Sequence, residues 1–176
     1  MYQALIEIHN CRQLAKIDPT GLQETIAGLE KLAVLYGASY RELAQGRAIV
    51  VFTVHRPGDS LFVVESVMNL YHHLAGHRQE LAGFTILLDS GDGGMEAERH
   101  LRKLLVCATE DESLWLGGQA AAVLKPFLRL EARNGLWRCL GRMETGAEDI
   151  NASAVLRTFP AGGRFPGFPG QGRRPG

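Results

Sequence analysis

Cysteine is scarce in this sequence: Cys11, Cys107 and Cys139 are the only three in 176 residues. They are far apart and odd in number, which gives neither a CxxC-type metal motif nor a disulfide framework and points to a reducing compartment. Long apolar runs are missing too, and none approaches the ~20 residues that a membrane-spanning helix needs. The opening MYQALIEIHNCRQ has no basic segment followed by an apolar one, so the expected location is the cytoplasm. Neither charge is in excess, since Lys plus Arg and Asp plus Glu both total 19. A balanced chain lacks the long-range field that draws proteins onto nucleic acid or acidic membranes, so neither a specific nucleic-acid partner nor membrane insertion is expected.

What remains is an ordinary globular composition, 45% hydrophobic and 22% charged. A chain of this length buries roughly two thirds of its unfolded surface, enough for one domain with a sizeable core. Residues 3–9 (QALIEIH) alternate, with Leu5, Glu7 and His9 on one side and Ala4, Ile6 and Ile8 on the other, the pattern of a strand. Asp18-Pro19 then supplies a helix cap and a first-turn proline, and Leu22, Ile26, Leu29, Ala33 and Tyr36 recur at helical spacing until Gly37. Residues 39–44 and 48–54 read as a hairpin turning at Gln45-Gly46-Arg47. Asp59 or Ser60 caps a second helix with an apolar stripe of Val64, Val67, Met68, Tyr71 and Leu74, and a strand follows at 84–88.

The order strand, helix, strand, strand, helix, strand predicts an α/β (α+β) fold with a ferredoxin-like βαββαβ core, an antiparallel-rich sheet and both helices on one face. Helices over about 95–107 and 119–126, a short strand at 114–116 and a hairpin over 127–142 extend it, the last turning at Asn134-Gly135, a type I′ signal. Trp115, Trp137 and Phe127 are expected to fill the core under that hairpin. The predicted domain covers 1–145, and residues 146–176, ending PAGGRFPGFPGQGRRPG, read as a Pro/Gly-rich flexible tail or linker. A linker of this kind leads to the expectation of further sequence beyond Gly176.

These segments resemble the class III nucleotidyl (adenylate/guanylate) cyclase domain over roughly residues 4–142. LIEIHNC stands where that family has its metal-binding first strand, Tyr36-Gly37-Ala38 where its helix turns, and QGRAIVVF where its hairpin carries Gly-Asp-Gly before an apolar strand. The resemblance implies two carboxylates holding two metal ions that neutralise a triphosphate and activate a ribose hydroxyl. Glu7 falls near the first metal position and is the one residual metal candidate. The second position is Gly46 or Arg47, and neither offers an anionic oxygen. The family's later Asn and Arg map to the stretch around Glu96 to Arg102, where the intervening hairpin and the Asn are both missing; Arg99 or Arg102 is the candidate for the Arg, although an arginine on a solvated helix face is the preferred reading. Candidate nucleotide-binding residues are therefore Glu7, Arg47, Ser90, Gly91, Arg99 and Arg102, with no catalytic set.

Other constellations carry less. The loop Ser90-Gly91-Asp92-Gly93-Gly94 precedes a helix but matches neither phosphate-loop pattern, and Asp92 repels an anion. His73 and His77 stand four apart with no third ligand near in sequence, so exposed helix-end histidines are the preferred reading. His9 and Cys11 alternate along a strand end without an orienting acid. Arg129, Arg133, Arg138 and Arg142 form at most a modest basic strip on solvated strand faces.

The expected function is a non-catalytic, cyclase-like regulatory or dimerisation domain of a larger signalling protein, with nucleotide sensing as its finer form and without cofactor. Expected partners are a second copy or the parent protein's other domains. One alternative is an active adenylate/guanylate cyclase using Mg or Mn on Glu7 with Asp89 or Asp92. Another is a ferredoxin-like RNA-binding module, although the first strand and AIVVFTV lack the exposed aromatic pair that such modules stack bases on.

Overall fold

The computed structural model describes residues 1–43, 46–56, 58–77 and 83–143. The expected tail and its boundary at 145 lie outside the described residues.

Strand β1 (Tyr2–Ile8) is buried along nearly its whole length, because it lies between two other strands and carries side chains to two cores. It is followed by a short helix α1 (Cys11–Ile17), which the sequence reading had not separated from the strand end. Asn10 adopts a left-handed φ of 53° and its carbonyl accepts the Gln13 and Leu14 amides at 2.8 and 3.0 Å, so the chain leaves β1 through a tight turn into helix. Asp18 then caps α2 (Pro19–Leu35), its carboxylate accepting the Gly21 amide at 2.9 Å, with proline in the first turn as expected.

β2 (Ser39–Leu43) and β3 (Arg47–Phe52) form the hairpin, with Gly46 at φ 72°. α3 (Asp59–Gly76) starts where the sequence placed it, but Asp59 turns its Oδ2 back to accept the His55 and Arg56 amides at 2.8 and 2.9 Å rather than capping its own helix. β4 (Phe84–Ser90), α4 (Met95–Leu105), β5 (Ser113–Leu116), α5 (Gly118–Leu124), β6 (Leu128–Arg133) and β7 (Leu136–Arg142) complete the order. Asn134 and Gly135 both take positive φ, 51° and 79°, as a type I′ turn between β6 and β7 demands.

The seven strands run in the order β2-β3-β1-β4-β5-β7-β6. The first four make the expected ferredoxin-like arrangement, all antiparallel. α4 crosses over to place β5 parallel to β4, and the β6-β7 hairpin returns antiparallel beside it. Helices α2, α3 and α5 pack on one face, where Ala4, Ile6, Val50, Val64, Leu70, Ile86 and Leu116 join one apolar cluster. α4 covers the other face through Leu101 over Leu5, Ile49, Leu87 and Trp115. Full burial of such a side chain contributes about 1.5–3 kcal/mol relative to exposure.

The two tryptophans do not fill one core as the sequence suggested. Trp115 is fully buried on the α4 face, whereas Trp137 and Phe127 pack against the opposite cluster. The register explains it: Trp137 pairs with Leu116, one residue from Trp115, and successive strand residues point to opposite faces. Among the described residues no helix is long and apolar enough to cross a membrane.

Candidate functional site

On β1, Gln3, Leu5 and Glu7 share the α4 face, and the antiparallel register sets Arg47 of β3 beside Glu7 on one side and Thr85 of β4 on the other. Arg47 donates to Glu7 Oε1 through Nε at 2.6 Å and Nη2 at 2.5 Å. The side chains are 33% and 22% exposed, so water screens the pair only in part. The guanidinium thus lies against one of the two oxygens of the carboxylate that a divalent cation would need, and puts a positive charge beside it.

Gly46, immediately before it, is closed to any side chain. A Cβ there would lie 2.5 Å from Cys11 Cβ and 2.6 Å from Cys11 Sγ, and the φ of 72° disfavours non-glycine residues in any case. The carbonyl of Gly46 also accepts the Ile8 amide at 2.9 Å, which pins the turn to the end of β1. Burial, and after it the Glu42 charge, raises the Cys11 thiol above its ordinary range, so Cys11 is a packing group at neutral pH.

Two residues along β1 the chain carries a second polar relay. His9 Nδ1 lies 2.6 Å from Asp111 Oδ1, and its Nε2 lies 3.1 Å from Thr85 Oγ1. The orienting acid that the sequence around His9 lacked is therefore supplied by the loop before β5, about a hundred residues away, and its partner is a hydroxyl rather than Cys11. Thr85 is 2% exposed, so its hydroxyl is a buried group bonded to His9.

The remaining sequence candidates fall elsewhere. Ser90 pairs with Tyr2 while Glu7 pairs with Thr85, which puts Ser90 and Gly91 about 16 Å from Glu7 at ~3.3 Å per residue. Asp89 is also at that far end: its Oδ1 accepts the Ser90 amide at 2.8 Å and the Ala120 amide at 3.0 Å, tying β4 to α5. Asp92 Oδ1 accepts the Gly94 amide at 2.8 Å. Neither Asp89 nor Asp92 stands beside Glu7.

Arg99 and Arg102 are engaged along α4, Arg99 with Glu96 and Arg102 with Glu98 at 2.7 Å. Arg41 of β2 reaches the same Glu98 at 2.7 Å, and this bond above all holds the Glu98 carboxyl below its ordinary range. Of the six candidates the structure joins Glu7 with Arg47 and adjoins Ser90 to Gly91.

The histidine and arginine readings resolve into structure. His73 and His77 are half-buried rather than exposed as expected, their rings 4.8 Å apart, with His73 Nε2 3.1 Å from the Thr25 carbonyl of α2. Arg133 and Arg138 converge on Glu110, Arg138 at 2.8 Å, which draws the hairpin's basic strip onto an acid. Among the described residues no three of His, Cys, Asp and Glu gather to hold a metal ion. The donor set at Glu7, one carboxylate held by a guanidinium beside a turn that admits no second one, does not fit a pair of Mg or Mn ions.

Residues 1–138 match the family model TP_0123_N, described as an N-terminal domain. No curated protein matches the sequence. Among solved structures the chain is similar to the adenylyl cyclase CyaB from P. aeruginosa, at 13% identity over 81% of this chain and 94% of that one, with a TM-score of 0.62. It is similar to the dimeric guanylyl cyclase domain of the RhoGC fusion protein from the aquatic fungus Blastocladiella emersonii, at 10% identity over 81% and 94%, with a TM-score of 0.63. A third likeness is the guanylate cyclase domain of RhGC from Catenaria anguillulae in complex with GTP, at 11% identity over 81% and 96%, with a TM-score of 0.58. The fold is that of class III cyclase domains.

Proposed function

The chain belongs to the TP_0123_N family of N-terminal domains, and from that premise we propose that it serves a larger protein as a non-catalytic, cyclase-like regulatory or dimerisation domain. In this reading residues 1–145 are the domain and 146–176 a Pro/Gly-rich tail or linker, in a cytoplasmic protein. The observation that supports this reading is the Arg47 guanidinium on Glu7 Oε1, next to a Gly46 that has no room for a carboxylate. A cation entering at Glu7 meets one carboxylate already paired with a positive charge, and two-metal phosphoryl chemistry needs two carboxylates.

Pairing with a second copy or a cyclase-like partner draws support from the fold, since one solved likeness is a dimeric cyclase domain. Nucleotide sensing without turnover is the finer form of the proposal, with Glu7, Arg47, Ser90, Gly91, Arg99 and Arg102 as its candidate contacts and no cofactor required. The purified chain, incubated with ATP or GTP and Mn²⁺, is expected to form no cyclic nucleotide; product that disappears in Glu7→Ala overturns the non-catalytic reading. Calorimetric titration with each nucleotide and Mg²⁺ separates sensing from dimerisation, because a silent titration removes the former alone. Sedimentation of the chain as a monomer at all concentrations removes self-pairing.

A further inference from the structure

On the other face of the sheet, at the end away from Arg47, a pocket of about 300 Å³ opens between the end of α2, the end of β3 and the start of α3. Tyr36, Phe52 and Phe62 supply three aromatic surfaces, and Asp59 is the only charged residue among the described residues of the lining. Tyr36 and Phe62 meet edge to face, with ring centroids 5.3 Å apart at 66°. The Asn69 amide donates to the Tyr36 hydroxyl, which fixes that ring. Phe52 is nearly fully buried and forms the floor, whereas Phe62 is 44% exposed and forms a wall. Gly37 leaves one side open, because a Cβ placed on it meets nothing within 4 Å.

The acid is ionised at neutral pH. The His55 and Arg56 amides, both bonded to Oδ2, hold the Asp59 carboxyl below its ordinary range. Arg56, whose charge also acts to lower the Asp59 carboxyl, and His55 are exposed and are not among the described lining residues. Aromatic faces attract cations through the ring quadrupole, and the attraction grows as water is excluded.

We propose that this pocket binds an organic cation of the quaternary ammonium class. A primary ammonium brings three N–H donors and needs as many acceptors. The lining side chains offer Asp59, the Tyr36 hydroxyl, which already accepts the Asn69 amide, and the Thr53 hydroxyl, which points to Met1 Sδ at 3.9 Å. A methylated ammonium carries its charge without a donor and is matched by apolar ring surface and one carboxylate. The volume lies at the lower end of small-molecule pockets, which suits a compact cation. The site shares no residue with the Glu7 cluster and does not depend on how that cluster is read.

The test is an NMR titration of the full chain with choline and, separately, with the neutral isostere that has carbon in place of the nitrogen. Choline is expected to shift the Tyr36, Gly37 and Thr53 resonances saturably and about tenfold more tightly than the isostere, the scale of a desolvated cation–π contact. Equal responses, or no saturable shift with choline, overturn the proposal. Phe62→Leu keeps an apolar wall and removes the ring, and is expected to abolish most of the preference while resonances outside the pocket stay in place. Asp59→Asn is expected to weaken choline and leave the isostere unchanged. Choline binding undiminished in Phe62→Leu overturns the aromatic recognition, and tighter binding of N-acetylarginine amide than of choline overturns the ligand class.

Discussion

Each central strand faces two ways, and the two faces of the sheet have been put to different use. Toward α2 and α3 the strands send Ala4, Ile6, Val50, Phe52, Ile86 and Leu88, and nothing charged. Toward α4 the same strands send Gln3, Glu7, Arg47, Thr85 and Asp89 around a small apolar centre of Leu5, Ile49 and Leu87. A face that needed only to hold the fold together would not carry so many polar groups, since each buried one must be matched to avoid a desolvation cost. Most of them are matched within the chain: Glu7 by Arg47, Thr85 by His9, Asp89 by the Ser90 and Ala120 amides. Gln3 is the exception, fully buried with neither side-chain atom bonded to protein. The α4 face thus carries the polar side chains of these strands, and most of them are paired within the chain.

The sharpest test of the contrast truncates neighbours on one strand. Ile86 and Leu87 are both fully buried on β4 but face opposite ways. Ile86→Ala and Leu87→Ala should each cost about 2–5 kcal/mol in urea denaturation, with Ile86 the larger because it belongs to the larger apolar cluster. A Leu87→Ala cost under about 1 kcal/mol would mean that α4 is loosely seated. Next in size is Gly46→Asp, which forces a left-handed backbone and an overlap with Cys11. It is expected to destabilise by about 1–3 kcal/mol and to confer no Mg²⁺ or Mn²⁺ binding, read by calorimetry.

Arg47→Ala strips Glu7 of its partner without opening the core, and a loss of about 1 kcal/mol is expected for a partly screened pair. Smallest is Arg41→Ala, for which the pH dependence is the informative readout. Glu98 is depressed chiefly by Arg41, so its contribution is present above the unfolded carboxyl pKa and fades as pH falls through the folded one. Wild type and variant should therefore differ by at most about 1 kcal/mol at neutral pH and converge in acid. A difference that persists at low pH would assign the effect to packing of the Arg41 stem instead.

Much of the architecture was legible because local chemistry and tertiary packing agree. Asp18-Pro19 and Asn134-Gly135 carry their own geometric instructions, and the alternation in β1 reports its two buried faces. α1 was not legible: CRQLAKI has no buried residue and no side-chain cap, and it exists because a left-handed Asn10 redirects the chain. The parallel placement of β5 and the separation of Trp115 from Trp137 depend on strand register, which no local pattern encodes.

At the Glu7 site, sequence indicated a missing carboxylate and a nearby positive charge. It could not indicate that Arg47 would close onto Glu7, nor that Asp111 would reach His9 across the fold. The aromatic pocket was invisible for the same reason, since Tyr36, Phe52 and Phe62 belong to three elements. A helix ending in Tyr-Gly with no covering side chain was the one local hint of an opening there.

The overlap between Gly46 and Cys11 makes those two positions a single unit of change. Among relatives of this chain, any residue bulkier than glycine at 46 is expected to arrive together with a smaller one at 11 or a reshaped turn, and neither alone. In an alignment the pair should therefore covary, and lineages carrying an acid at 46 should be recognisable by what they have given up at 11.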